Sequence, residues 1–465
     1  MHILDPHNRV YSTRTAWQLH AVALIVLLGL MGLTGASDAQ QPTQRSFEDT
    51  DVTEILPEVS LLRGATIHTL TAVGTLLVGD VLIEGKHIIA TGPDLSNHLK
   101  ARRARVIPLF GKTITPGLIL PWSRIGLSNT DLGTSSSSKN LELAAGLSVA
   151  RFWDSSSAEI GEAIAAGFTV AQIVPSNPGK LFSGESALIA LRPDHSQLLF
   201  DTGLQTVVAR LTDLEVLPAI AITQLDDAFA SAQRFRSNRL AIDGGGYFDF
   251  RLSRHDLESL IRVVDDHNWI AIEAHRKEDI ERLLELARNL QLRLMLYGGA
   301  DSSALAEALR EQGAIVILNP QASAHKGLEP AIALEAARLL NQSGVTLLFG
   351  SEQPDAPWRV RQTAGTAVSW GLPWEEALKA LTLYPAQVLG LPDRGQIAPG
   401  KLAELVVWSG DPLEISSRAE RVFFDGVEHH PVSKDELLAL KYAEQQGVPL
   451  NVPEGGTLIQ ESIPR

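Results

Sequence analysis

The chain has 465 residues, 45% hydrophobic and 20% charged, which is ordinary for a globular protein and enough for one large domain and a small one. Its 40 lysines and arginines against 54 aspartates and glutamates give a formal charge of −14, so nucleic acid and anionic lipid are not expected as partners. The chain has no cysteine, which excludes disulfides, thiolate nucleophiles and zinc–thiolate sites.

The first 39 residues have the layout of a secretory signal peptide. Arg9 and Arg14 precede an apolar run over residues 21–33, and Ala39 ends a stretch of small residues. This pattern predicts cleavage after Ala39. An uncleaved anchor is the alternative, although the apolar run is short for a membrane span. We therefore expect a periplasmic or secreted protein of a bacterial envelope, with no membrane contact after cleavage.

Residues 40–57 are predicted to be a polar leader, and residues 58–115 a small β-unit. In that unit, residues 77–90 form two β-like runs around the turn Glu84-Gly85-Lys86. The β pattern returns in residues 396–430, which we expect to complete the same unit. A C-terminal helix and an extended tail are predicted for residues 431–465.

Between these β segments, residues 116–395 alternate helix-period stretches with short apolar runs. Repeated strand–helix units of this length predict a parallel sheet covered by helices, and their number favours a (β/α)₈ barrel of the TIM type. The clearest predicted strands are residues 168–174, 269–274, 292–296, 314–318 and 345–349. The clearest predicted helices are residues 158–166, 254–266, 280–290, 303–312 and 374–382.

Several segments resemble the amidohydrolase superfamily, in particular its exported imidazolonepropionase-like and prolidase-like members. Residues 111–119 (GKTITPGLI) are similar to the segment that leads into the first barrel strand of these proteins. Residues 381–391 (LTLYPAQVLGL) and 395–408 (GQIAPGKLAELVVW) are similar to their C-terminal helix and strand. The resemblance spans about residues 58–430. It implies a (β/α)₈ barrel with a small composite β-sandwich, and a metal-activated water that attacks an amide carbon.

The histidines that this resemblance implies as metal ligands are mostly replaced. Where the family has His-x-His after its first strand, this chain has Trp122 and Arg124. Trp122 cannot bind a divalent metal, and the permanent cation of Arg124 repels one. In a segment similar to VHAHRxxDI, Glu273 replaces the first histidine and His275 keeps the second. Gly298 replaces the histidine of a segment similar to LEHGTE.

The last barrel segment, Gly350 to Pro354, is similar to TDHP and has also changed. Ser351 replaces the threonine, Glu352 the aspartate that would take a proton from water, and Gln353 the histidine. Losing several ligands together removes the first shell of a pre-organised metal site, so we expect no metal cofactor.

Two interpretations of the remaining polar residues stay open. Glu273, His275, Glu352 and His325 could form a rebuilt site, which would either bind a metal weakly or use His275 and Glu352 as acid and base. Alternatively, His275 is a structural residue held by hydrogen bonds, and Glu352 pairs with Arg124, so that a side-chain cation replaces the metal.

The preferred hypothesis is a non-catalytic, amidohydrolase-like protein that keeps the scaffold. It would bind a small molecule, or pair with a second copy or with an active relative. The alternative is a hydrolase that acts on non-peptide carbon–nitrogen bonds through a reorganised site at the barrel mouth.

Overall fold

The structure is a computed structural model that describes residues 58–127, 145–194, 196–199, 206–212, 214–320 and 330–445. The predicted signal peptide, the predicted leader, His325 and the predicted extended tail from residue 446 lie outside these residues. No helix among the described residues has the length and apolar character needed to cross a membrane.

Strands and helices alternate through the middle of the chain, and strands lie at both ends. The strands of the described residues are β1 (Val59–His68), β2 (Thr75–Glu84), β3 (His87–Gly92), β4 (Arg105–Pro108), β5 (Thr113–Pro116), β6 (Leu118–Ser123), β7 (Phe168–Ile173), β8 (Phe182–Glu185), β9 (Ala187–Ala190), β10 (Gln197–Leu198), β11 (Thr206–Arg210), β12 (Trp269–Ala274), β13 (Arg293–Gly298), β14 (Ile315–Leu318), β15 (Thr346–Phe349), β16 (Leu405–Trp408), β17 (Ala419–Phe424) and β18 (Val427–His429).

The helices cover the strands of the middle region. They are α1 (Ala158–Ala165), α2 (Pro218–Ser237), α3 (Arg239–Asp243), α4 (Arg254–Asp265), α5 (Lys277–Leu290), α6 (Ala306–Gln312), α7 (Pro330–Gln342), α8 (Trp358–Ser369), α9 (Trp374–Lys379), α10 (Leu383–Val388) and α11 (Lys434–Gln445), with short 3-10 helices at Leu99–Arg103, Val149–Arg151 and Ala300–Leu305. In α4, Leu257, Leu260 and Val263 are buried at helical spacing, and the Ser253 hydroxyl caps the first turn.

One eight-stranded sheet combines strands from the two ends of the described chain, in the order β18-β17-β16-β5-β1-β2-β3, with β4 paired to β1. The connection is the antiparallel pair β5–β16, in which Thr113 lies opposite Trp408 and Pro116 opposite Leu405. The turn between β2 and β3 also touches the turn between β17 and β18. A Cβ on Gly426, in the second turn, would lie 2.0 Å from the carbonyl oxygen of Gly85, in the first. The predicted composite β-unit is confirmed.

The middle strands form two further sheets. In one, β11 to β15 follow one another in chain order and are parallel, with β8 antiparallel at the β11 edge. In the other, β6 and β7 are parallel, and β9 and β10 extend the sheet. The Ser351 N–H donates to the Trp122 carbonyl at 3.1 Å, which brings the chain after β15 beside the end of β6. This is the predicted α/β class, with parallel strands joined through helices.

The parallel strands alternate between an interior face and a helix-covered face. On β12, Ile270 and Ile272 pack in the large core under the helices, whereas Trp269 and Ala271 pack in a second core with residues of the other strands. Because side chains i and i+2 of a strand share a face, Glu273 and then His275 continue the inner face beyond Ala271. The alternation therefore carries polar side chains to the carboxyl ends of the strands, which we call the barrel mouth.

A group of charges around the buried Glu404 connects the composite sheet to the strand-and-helix region. Arg192 Nη2 donates to Glu404 Oε1 at 2.7 Å, and Arg394 Nε donates to Glu404 Oε2 at 2.9 Å. Arg192 also lies 3.4 Å from Asp425, and Arg394 lies 2.9 Å from Asp393. We call these five residues the junction cluster. Its central carboxylate, Glu404, is buried.

Candidate functional site at the barrel mouth

Three neighbouring strands place one polar side chain each in the same layer of the barrel mouth. Arg210 is the last residue of β11 and lies opposite Glu273 on β12, and Glu273 lies opposite Tyr297 on β13. All three residues are buried. Because parallel strands in register present laterally aligned side chains, this layer is set by the sheet itself.

The guanidinium of Arg210 connects two carboxylates. Its Nη1 donates to Glu273 Oε2 at 2.6 Å, and its Nη2 forms an ion pair with Glu352 Oε1. Burial on its own would lower the pKa of Arg210, but the attraction of Glu352 and Glu273 outweighs it, so the pKa lies above its usual range. We call Arg210, Glu273 and Glu352 the mouth cluster, and its guanidinium is permanently charged.

Glu273 is the ionised acid of this cluster. Burial raises the pKa of its carboxyl, but a hydrogen bond with His275 and the charge of Arg210 lower it more, to about 2. The His275 Nε2 lies 3.5 Å from Glu273 Oε1, and His275 is itself buried. Its Nδ1 has no hydrogen-bond partner among the described residues. Among the described residues, the ring of His275 is therefore held by its Nε2 and not by its Nδ1.

The ring of His275 fills the space beside Gly298. A Cβ added to Gly298 would lie 2.3 Å from His275 Cε1 and 2.7 Å from its Nδ1. The backbone of Gly298 also has φ +93°, a conformation that side chains other than glycine rarely adopt. A histidine at position 298 and the observed position of His275 therefore exclude each other.

Trp122 is a packing residue of the second core, with Ala271 and Tyr297. It is fully buried, and its indole stacks on the Tyr297 ring with centroids 4.1 Å apart and an angle of 8° between the planes. The indole Nε1 donates to Glu352 Oε1 at 3.2 Å. Tyr297 accepts a hydrogen bond from Asn319 Nδ2 at 2.7 Å, and burial, followed by the charge of Glu352, raises the pKa of its phenol well above the usual value.

The three residues after β15 have different surroundings. Ser351 is buried, and its hydroxyl accepts the Gln353 N–H at 3.1 Å. Glu352 reaches the mouth cluster and keeps 27% of its side chain exposed. Gln353 turns away from that cluster and accepts a hydrogen bond from Arg359 Nη1 at 2.8 Å. Of the three, only Glu352 contributes charge to the mouth.

Arg124 does not make the predicted ion pair with Glu352. Among the described residues, the guanidinium paired with Glu352 is that of Arg210. Arg124 is part-buried, and its Nε has no hydrogen-bond partner in the same set. Loss of water on burial lowers the pKa of Arg124, and the more distant charge of Glu352 opposes this. An arginine does pair with Glu352, as predicted, but it is Arg210 and not Arg124.

The sequence analysis missed Arg210 and Tyr297. A detectable signal was present for Arg210, since Thr206 to Arg210 is a β-branched run that ends in a charge before a helix. Tyr297 stood inside a segment already singled out for Gly298. Neither partner could be assigned without the lateral register of the strands.

The residues present do not fit a divalent metal ion of the kind that the family resemblance implies. Trp122 offers no donor lone pair, Gly298 offers no side chain, and the Arg210 cation stands between the two carboxylates. No group of three or more His, Asp or Glu side chains within the described part of the chain is arranged to hold a metal.

A cavity of about 290 Å³ lies away from this site. It is lined by residues of the composite sheet, among them Ser60, Arg105, Phe423 and Glu428. Within it, Glu428 is already bound by Arg105 and Arg421, each at 2.6 Å. This cavity therefore shares no lining residue with the mouth cluster.

Comparison with known proteins supports the same fold. The model of a family described as the amidohydrolase family matches residues 215–428, a range that includes Glu273, His275, Gly298 and Glu352. This match covers a little under half of the chain and shows that residues 215–428 are similar to the amidohydrolase family. Trp122, Arg124 and Arg210 precede the matched range, so the family match does not cover the residues that differ most from a metal site.

Solved structures extend the likeness over most of the chain. An amidohydrolase from Thermotoga maritima MSB8 has 24% identity and a TM-score of 0.66, over 80% of this chain and 100% of that one. A prolidase complexed with N-methylphosphonate-L-proline has 18% identity and a TM-score of 0.50, also over 80% of this chain and 100% of that one. These likenesses confirm the mixed α/β fold.

One curated relative is similar over a short stretch. The amidohydrolase tasK of Hapsidospora irregularis is 34% identical over 93 residues, which are 20% of this chain and 10% of that protein. The chain thus matches about a tenth of that relative's length, and the match supports family membership alone.

Proposed function

We propose that this amidohydrolase-like protein does not perform metal-dependent hydrolysis and that its barrel mouth binds a small molecule. The observation that carries the proposal is the guanidinium of Arg210, which bonds to both Glu273 and Glu352. A divalent metal needs ligands with free lone pairs, and these two carboxylates already neutralise a cation. The scaffold would then serve as a binding protein, or as a partner of a second copy or of an active relative.

Metal analysis tests this proposal directly. Protein expressed in medium supplemented with zinc, iron and manganese should contain none of them at a stoichiometric level by inductively coupled plasma mass spectrometry. Its melting temperature should be the same before and after dialysis against a chelator. A stoichiometric metal with His275 among its ligands in an anomalous-scattering map would refute the proposal.

Substitutions that restore histidines provide a second test. The variant with Trp122→His and Arg124→His should still bind no metal, because Arg210 continues to hold both carboxylates and Gly298 supplies no ligand. Restoring Gly298→His in addition should disturb the fold, since the ring of His275 occupies that space. Recovery of tight zinc binding by the double variant alone would contradict this account.

A second candidate is a hydrolase that acts on non-peptide carbon–nitrogen bonds without the family's metal. The observation in its favour is the buried pair of Glu273 and His275, which lies near the part-exposed acid Glu352. Acid–base catalysis requires such groups within hydrogen-bond reach. Turnover of acyl amino acids or cyclic amides by the wild type, lost in both His275→Asn and Glu352→Gln, would establish this candidate over the first.

We also infer export of the protein to the periplasm or the medium. The inference is supported by the arginines before the apolar run of residues 21–33 and by the small residues up to Ala39. Cell fractionation followed by N-terminal sequencing should find a mature chain that begins at Gln40. A chain that keeps its first residues and stays with the membrane would show an anchor instead.

A further inference from the structure

The two arginines of the barrel mouth differ in how their charge is compensated. Arg210 donates from both terminal nitrogens, one to Glu273 and one to Glu352. Arg124 makes no ion pair within 4 Å with a carboxylate among the described residues, and its Nε is buried without a hydrogen-bond partner in that set. A part-buried guanidinium without a partner costs stability, because the protein does not replace the water that it has lost.

The acids near Arg124 are already engaged. Glu352 bonds to Arg210 and to the Trp122 indole, and Glu159 Oε2 accepts the Gly126 N–H at 2.7 Å. Burial is the main reason that the pKa of Arg124 is lowered; the charges of Glu352 and Glu159 oppose this without forming an ion pair with Arg124, and the charge of Arg210 lowers the pKa further. Arg210 forms ion pairs with both Glu273 and Glu352, whereas Arg124 forms none with the described acids.

We propose that Arg124 is the anchor of a site for the carboxylate of a small organic molecule at the barrel mouth. This deepens the proposed function, on which it rests, because it names the class of ligand. A planar carboxylate matches the fork of a guanidinium and can accept two parallel N–H bonds from it. The ligand would supply the anion that Arg124 lacks.

A monoanion fits the surroundings better than a dianion. Glu352 is part-exposed at the same mouth, and its charge would repel a second negative charge on a bound group. A singly charged carboxylate places one anion beside one uncompensated cation. At pH 8, where inorganic phosphate is mainly a dianion, it should therefore bind less well.

Binding is tested on the mature chain with matched pairs of probes. Benzoate, hippurate and N-acetyl-L-proline are each compared at pH 8 with the primary amide of the same acid, and inorganic phosphate is included. The measurements are isothermal titration and the shift of the melting temperature. We expect at least one carboxylate to bind and to raise the melting temperature while its amide does not, with phosphate weaker than that carboxylate.

Arg124→Gln should weaken binding of that carboxylate by about tenfold or more, which is the loss of one charge-assisted interaction. Arg124→Lys should keep part of the affinity. Arg359→Gln is the matched control, because Arg359 bonds to Gln353 and not to the mouth cluster, and it should bind like the wild type. Without ligand, Arg124→Gln should melt no lower than the wild type, because it removes an uncompensated charge.

The proposal is overturned if no carboxylate binds better than its amide, if phosphate binds more tightly than every carboxylate, or if Arg124→Gln keeps the preference. It is also overturned if Arg124→Gln without ligand melts as low as a variant of Arg210, since Arg124 would then have a structural partner. Metal content measured on the same samples separates the two proposals. A stoichiometric metal refutes the absence of metal chemistry, whereas the probe pairs decide the role of Arg124.

Discussion

In the junction cluster one carboxylate, Glu404, receives hydrogen bonds from two guanidinium groups, whereas in the mouth cluster one guanidinium, Arg210, serves two carboxylates. Both central groups are buried. The arginines of the junction keep second acceptors in Asp425 and Asp393, and Arg192 also lies over the Phe424 ring at 5.0 Å. The two carboxylates of the mouth have no second cation within ion-pair distance among the described residues, apart from His275 beside Glu273.

Glu404 and both arginines of the junction cluster have more than one partner each, whereas both carboxylates of the mouth cluster depend on the cation of Arg210. The junction joins two parts of the fold and can lose one contact while each charge keeps a partner. The mouth depends on one side chain. Breaking a buried pair is costly mainly because it leaves an uncompensated charge, so the two clusters should respond very differently to comparable substitutions.

The largest effect is expected for Arg210→Met. This change leaves Glu273 and Glu352 facing each other without their cation, and it should lower the free energy of unfolding by about 4 kcal/mol. Chemical denaturation measures the change. Adding Glu273→Gln to the same variant removes one of the stranded charges and should recover part of the loss. An additive double variant would mean that the two residues do not interact.

Acid should weaken the mouth cluster. The pKa of Glu273 is about 2 in the folded protein against 4.5 for an unperturbed glutamate, so the unfolded state takes up a proton that the folded state does not bind. The stabilisation is complete above pH 4.5 and is lost as the pH falls towards 2, by on the order of 3 kcal/mol in total. Denaturation from pH 7 to pH 3 should therefore show a steeper decline for the wild type than for Glu273→Gln. Equal slopes would show that Glu273 has an ordinary pKa.

A smaller loss is expected at the junction. Glu404→Gln keeps the shape of the side chain, and Arg192 and Arg394 each retain another carboxylate. We expect a loss of about 2 kcal/mol, the scale of hydrogen bonds to charged groups. The measurement is the same denaturation series that is used for Arg210→Met. If Glu404→Gln lowers the free energy of unfolding as much as Arg210→Met does, the second acceptors Asp425 and Asp393 contribute nothing. The junction cluster would then not be redundant.

The smallest effect is expected for Gln353→Ala. Gln353 occupies a position where the family resemblance implies a histidine, yet its side chain contacts Arg359 and not the mouth cluster. Part-exposed hydrogen bonds of this kind contribute little, so stability should change by less than about 0.5 kcal/mol. A loss of several kcal/mol, seen as a large shift of the denaturation midpoint, would place Gln353 in the mouth cluster after all.

The periodicity of the sequence was sufficient for the α/β class, because strand and helix patterns depend on neighbours along the chain. The predicted strand over residues 269–274 is observed as Trp269–Ala274, and the predicted helix over residues 158–166 ends one residue earlier, at Ala165. The motif resemblances also pointed to Glu273 and Glu352, and in the structure both carboxylates pair with Arg210. These predictions required no knowledge of which strands are neighbours.

The partner of Glu352 could not be found in the same way. Arg124 is similar in charge to Arg210 and lies in a recognisable motif, so it was the natural candidate for the ion pair. The pairing is instead set by the register of β11 and β12, in which Arg210 lies opposite Glu273. Such lateral alignment joins residues 63 positions apart, and no local pattern encodes it.

The contact between Gly298 and His275 has a consequence for anyone who wishes to rebuild a metal centre in this protein. Position 298 has no room for a histidine while the ring of His275 keeps its observed position. A glycine at position 298 does not displace that ring. The backbone at position 298, with φ +93°, would also have to change, so replacing His275 is not sufficient on its own to admit a histidine there. Stepwise engineering or selection through single substitutions would stall there, so a library meant to restore hydrolysis should vary the two positions jointly from its first round.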